Sequence, residues 1–157
     1  MNAVRTATTV MILLAAASLP GQEPEKPTPV RVTVVVVLAT TENNVVDKKL
    51  TALAKETSKR NPDLVGFTLH NVVQKSIPVG DTHTFELMEK QTLAVSIDKP
   101  RDQGGRIGMT LTTTDGSSVS YTCVCDRFFP IITEHKTKCG RTLIVAVGAK
   151  PCTGKGP

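Results

Sequence analysis

The sequence predicts an α+β domain in which one N-terminal helix packs on a largely antiparallel β-sheet. Three observations carry that reading. A nearly all β-branched run, Val30 to Leu38, opens the folded part; one stretch of helical periodicity follows; beyond it, strand-forming segments alternate with turn residues. The chain has 157 residues, 39% apolar and 21% charged, with 11 Gly and 10 Pro, which suits one domain and excludes collagen, coiled coil and generic disorder.

Residues 1–17 carry a positive charge at Arg5 and a short apolar run, Val10 to Ala17, ending in small residues. This is the pattern of an export signal cut before Ser18. The run falls short of the ~20 apolar residues that a membrane-spanning helix needs, so no span is expected after cleavage and the product is expected to be extracellular or periplasmic. Residues 18–29, with Pro20, Pro24, Pro27 and Pro29, read as an extended linker. Residues 30–152 are expected to form a single domain and 153–157 a flexible tail.

Val30 to Leu38 alternates at first and then becomes continuously apolar, as a strand buried on both faces does. Val46, Leu50, Leu53, Ala54 and Thr57 recur at helical spacing, with Asp47 near the start, Glu56 four residues before Arg60, and Asn61-Pro62 as the stop. A helix over 46–60 follows. Strands are predicted over 64–75, 82–88, 91–97, 106–114, 118–125, 129–136 and 142–149, separated by Ile77 to Asp81, Lys99 to Gly105, Asp115-Gly116 and Cys139-Gly140. Connections this short favour antiparallel neighbours. A turn at Pro78-Val79 would make a hairpin of the strands around it. At Asp115-Gly116, a three-residue loop from Asp115 to Ser117 sets Leu111 against Tyr121 and Met109 against Cys123, giving one apolar face with Cys123 and Cys125 pointing inward.

All four cysteines, Cys123, Cys125, Cys139 and Cys152, lie beyond Thr122. An even count in an exported chain implies two disulfides stapling the C-terminal end. The pleat disfavours a Cys123–Cys125 bridge, and both other pairings tie that pair to Cys139 and Cys152. A metal site built from His135, Cys139 and the C-x-C pair is disfavoured, because C-x-C is tighter than zinc spacing and exported thiols oxidise. Redox catalysis would prefer C-x-x-C at a helix start.

The formal charge of +5 is scattered along the chain, and the one Tyr, four Phe and no Trp supply no stacking platform, so no nucleic-acid partner is expected. No catalytic or cofactor motif occurs, and Gly104-Gly105-x-x-Gly108 precedes a strand, where a hairpin loop explains it better than a phosphate loop. No cofactor is expected. His70, His83 and His135 fall in separate strands; a hydrolase would need one of them in a concave pocket beside Ser, Asp or Glu. The order of helix, strands and cysteines is similar to that of cystatin-type protease inhibitors, but their Q-x-V-x-G loop is missing, since Gln74 is followed by Lys75-Ser76-Ile77-Pro78-Val79-Gly80.

Phe128 and Phe129 are adjacent, and neighbours on an extended chain point opposite ways, which makes this pair the candidate partner contact. The expectation is a small exported, non-enzymatic domain acting by surface recognition or as a structural part of an extracellular or envelope assembly, its partner an extracellular protein or envelope component. A hydrolase assembled only in three dimensions, and an inhibitor inserting Ile77–Asp81 or Arg101–Gly105 into a protease cleft, are the alternatives.

Overall fold

Strand β1 (Val30–Thr40) is buried and apolar along one face, Val30 to Val36, and apolar on the other from Val35 to Ala39, and the rest of the molecule is arranged around these two faces. The computed structural model describes residues 27–152; the expected export signal, most of the expected linker and the expected tail lie outside the described residues. After β1 come a 3-10 turn (Lys48–Leu50), helix α1 (Thr51–Arg60), and strands β2 (Gly66–Ile77), β3 (Thr82–Glu86), β4 (Thr92–Lys99), β5 (Arg106–Thr113), β6 (Ser118–Val124), β7 (Phe128–Lys136) and β8 (Thr142–Pro151). The predicted antiparallel, strand-rich build with one α-helix is what the described residues form.

The single sheet of the sequence reading is corrected to two four-stranded sheets, ordered β2-β1-β8-β7 and β3-β4-β5-β6. The physical reason lies in the two faces of β1. Val30, Val32, Val34 and Val36 join Leu143, Val145 and Val147 of β8 against Phe85, Leu93, Val95, Ile97, Ile107, Met109 and Leu111 of the second sheet. Val37 and Ala39, on the opposite face, join Ile144 and Phe67 under Leu50 and Ala54 of the helical segment. One helix cannot cover both faces, so the second sheet supplies the other layer. The Ile77–Asp81 segment therefore does not close a hairpin: it carries the chain from one sheet to the other, where Gly80 N–H donates to Ile97 O at 2.7 Å.

Two local expectations change as well. The helical segment begins at Lys48 because Val46 and Asp47 are drawn into pairing with β2: Val46 bridges Phe67, Asp47 N–H donates to Phe67 O at 3.0 Å, and Leu69 N–H donates to the Asp47 carboxylate at 2.7 Å. The β5–β6 loop is three residues long but is Thr114–Gly116, closed by Thr113 N–H to Ser117 O at 2.9 Å, with Gly116 at φ 84. A type I turn ending in a left-handed residue needs glycine there. The register moves by two, pairing Leu111 with Val119 and Met109 with Tyr121. A shift of two preserves the faces, so Cys123 still points inward and is buried.

The connections gather at two ends of the sandwich. At the Val30 end lie Ile77–Asp81, Arg101–Gly105, the β6–β7 crossing and Cys152, whose N–H donates to Pro29 O at 2.9 Å. The Thr40 end holds the β3–β4, β5–β6 and β7–β8 turns.

The expected disulfide staple is not formed, and all four cysteines are free. Cys139 sits in the β7–β8 turn at the Thr40 end, while Cys123, Cys125 and Cys152 lie towards the Val30 end. The length of β8 separates the two ends by roughly 30 Å, at ~3.3 Å per strand residue. Bridged cysteines have Cα atoms within ~7 Å of each other, so both two-disulfide pairings fail at Cys139.

Candidate functional site

Helix α1 crosses the outer face of the first sheet: its first turns lie beside Leu69 and Val72 of β2, while Arg60 reaches Ile132 and Lys136 of β7. A helix is about 10 Å wide and β1 about 36 Å long, so a crossing helix covers only part of that face. The strip left bare at its Val30 side is an apolar groove of about 560 Å³. Val35, Ala146 and Pro130 contribute to it from the sheet, with Leu53, Val72 and Phe128 alongside; Lys49, Glu56, Asp126 and Arg127 set charges of both signs around it.

Phe128 is fixed in place by the turn that precedes it and by strand β8 beside it. The β6–β7 crossing turns sharply, with Asp126 at φ 64, Asp126 N–H donating to Ala149 O at 3.3 Å and Arg127 N–H to Val124 O at 3.1 Å. That turn sets Phe128 opposite Gly148 on β8. A Cβ at residue 148 would meet the Phe128 ring at 2.9 Å, so only glycine lets the ring lie on the sheet. Even so, Phe128 remains 50% exposed, and Val72 across the groove 46%.

Phe129 turns the other way. Its ring stacks on Tyr121 with centroids 4.6 Å apart, and the Arg60 guanidinium carbon stands 5.9 Å from its centre. Burial, with the Cys123 thiol beside it, pushes the Tyr121 hydroxyl well above its usual range, and that hydroxyl is buried without a hydrogen-bond partner.

A second cleft, of about 410 Å³, opens between the sheets at the Thr40 end, with His135 in its wall. His135 Nε2 is 3.0 Å from Glu89 Oε2, and Lys138 N–H donates to Glu89 Oε1 at 3.1 Å. Glu89 and Lys90 both adopt positive φ, 49° and 63°, to present that carboxylate. The pair therefore joins the β3–β4 turn of one sheet to β7 and its following turn in the other. Of the two hydroxyls nearest in sequence, Thr133 donates to Leu143 O at 2.8 Å and Thr137 accepts from Arg141 N–H at 3.2 Å, so both are engaged with the backbone.

The other sequence candidates stay apart. His70 is exposed at the irregularity in β2, and His83 lies edge-on to Phe85 with ring centroids 4.9 Å apart. His135 and Cys139 are at the opposite end from Cys123 and Cys125. Among the described residues, no three His, Cys, Asp or Glu side chains converge as metal ligands. Ile77–Asp81 is pinned to β4 by Gly80 and by Ile97 N–H to Asp81 O at 3.1 Å. Arg101–Gly105 is held by Gly105 N–H to Asp102 O at 3.0 Å and Arg106 N–H to Asp102 Oδ1 at 2.8 Å.

Sequence reasoning reached Phe128 but not the groove or Glu89. The signal for the groove was Gly148, a lone glycine in the apolar run from Leu143 to Ala149. For Glu89, one carboxylate in a polar turn, the sequence held none.

Fold and site together define a small two-sheet β-sandwich with a helix across one outer face and an apolar groove beside it. No protein-family profile matches this chain, nor does any curated protein sequence or solved structure. Among the described residues, no helix is long and apolar enough to cross a membrane.

Proposed function

We propose that the chain is a small exported, non-enzymatic recognition domain that seats an apolar segment of an extracellular or envelope partner in the groove beside Phe128. The observation carrying this reading is the half-exposed Phe128 ring, immobilised on Gly148 at one wall of an apolar groove. A rigid aromatic anchor is already ordered before binding and loses little entropy on association. Charges of both signs at Lys49, Glu56, Asp126 and Arg127 fit polar groups flanking the apolar segment, and the N-terminal pattern of residues 1–17 supports export. The test is a Phe128→Ala variant: it keeps its cooperative unfolding and loses capture of extracellular material. Unchanged capture refutes the proposal.

A second reading, a hydrolase, is favoured by the His135–Glu89 pair in the wall of the 410 Å³ cleft. A carboxylate can hold an imidazole as a general base, although a nucleophile or activated water must complete such a site. A screen of ester, peptide and glycoside substrates with the wild type and His135→Ala decides it: hydrolysis abolished by the substitution supports an enzyme, and no hydrolysis by either protein rejects it.

A further inference from the structure

Among the described residues the two sheets have four outer edges, β2 and β7 in the first and β3 and β6 in the second. An open edge presents unpaired backbone groups to any other strand, and proteins blunt such edges with short length, charge, proline or irregularity. Three of the four are blunted. β3 is only five residues long and ends in Glu86. β2 breaks register opposite Val36 and Val37 and carries Lys75. β7 contains Pro130 and loses register between Ile132 and Lys136. By contrast β6, Ser-Val-Ser-Tyr-Thr-Cys-Val, is seven residues long and has no charge, no proline and no register shift against β5.

We propose that β6 pairs antiparallel with β6 of a second copy of this chain, joining two four-stranded sheets into one of eight. The hydrogen-bond direction fixes the register. Thr113 N–H bonds Ser117 O at one end of the β5–β6 ladder and Cys125 N–H bonds Gly105 O at the other, so Val119, Tyr121 and Cys123 direct their backbone groups to β5. Ser118, Ser120, Thr122 and Val124 therefore direct theirs to the open side. A two-fold axis at Tyr121, the middle of the strand, pairs Ser120 with the second copy's Thr122 and Ser118 with its Val124. That register uses the whole strand and places only open-side residues in hydrogen-bonded pairs.

The side chains suit the same register. Val119 is 47% exposed and Val124 41%, and pairing covers both. On the outer face, Thr110 and Ser120 hydroxyls lie 2.7 Å apart and Thr112 and Ser118 3.1 Å apart. The new Ser120–Thr122 pairs extend this cross-strand hydroxyl pattern over the junction. With no charge on the strand, nothing repels its identical copy. This inference is independent of the groove, which lies on the outer face of the other sheet.

The experiment is sedimentation of the purified protein across concentration, with two double variants. Ser120→Lys with Thr122→Lys sets lysine opposite lysine in both pairs; Ser120→Glu with Thr122→Glu does the same with carboxylates. Each is expected to raise the dimer dissociation constant by about 100-fold, as like-charge juxtaposition across an interface does, while an equimolar mixture restores a heterodimer. As a measurement needing no variant, amide exchange at Ser120 and Thr122 slows as the wild-type concentration rises. A wild type that stays monomeric at roughly millimolar concentration overturns the proposal. So does a dimer that both variants leave unchanged, or exchange at those amides that ignores concentration.

Discussion

The Phe128 ring lies against Gly148 so closely that a methyl group at 148 would sit 2.9 Å from ring carbon Cε1. Gly148→Ala must therefore shift the ring or the strand, and overpacking of this kind costs about 1–3 kcal/mol. Phe128→Ala removes a half-exposed ring and is expected to cost about 1 kcal/mol, half of what full burial of such a side chain is worth. Urea midpoints of the two variants check this order: the smaller chemical change is the more damaging one.

Glu89 provides a pH dependence of known sign. The Lys138 N–H holds its carboxyl below the ordinary value of 4.5 against a smaller opposing effect of desolvation, and His135 adds a lesser pull in the same direction as Lys138. Because the folded-state value is depressed, the clasp stabilises the fold above the ordinary carboxylate range and loses this effect as pH falls through the folded value. Wild type is expected to exceed Glu89→Gln in stability near neutrality, and the gap to close in acid. Thermal unfolding of both proteins at the two pH values measures it.

Thr57 is fully buried in α1, and its hydroxyl has no hydrogen-bond partner. Replacing an unsatisfied buried hydroxyl by a methyl of the same shape removes a desolvation penalty of about 1–3 kcal/mol. Thr57→Val is expected to stabilise by about 1 kcal/mol, read as a raised urea midpoint with an unchanged slope.

The thiols are expected to separate by reactivity. Cys139 is exposed, whereas Cys123 is buried and burial pushes its thiol up, away from the reactive thiolate form. Alkylation under native conditions followed by peptide mass analysis should label Cys139 first and Cys123 only on unfolding. A bridged peptide containing Cys139 would contradict the strand arrangement.

The strands were legible because each is short, β-branched and bounded by turn residues, and because local patterns report local structure. What escaped was which strands share a sheet. Val30 to Leu38 announced two buried faces, yet nothing local distinguished a helix over a single sheet from a helix on one face and a second sheet on the other. The two-sheet answer depends on the Ile77–Asp81 segment crossing between layers, which its turn chemistry does not distinguish from a hairpin. Cysteine counting failed for a related reason: an even number says nothing of distance, and Cys139 stands one strand length from the rest. Phe128 was visible as half of an unusual pair, while its seat on Gly148 joins residues twenty apart in the chain.

The most direct measurement of the recognition account is a hydrogen-exchange footprint of the chain with its captured partner bound. Protection is expected over Arg127–Pro130, Val72 and the Lys49–Leu53 turn, the walls of one groove. Protection confined to Ile77–Asp81, to Arg101–Gly105 or to the walls of the His135 cleft, with the Phe128 segment exchanging as in the free protein, would contradict it.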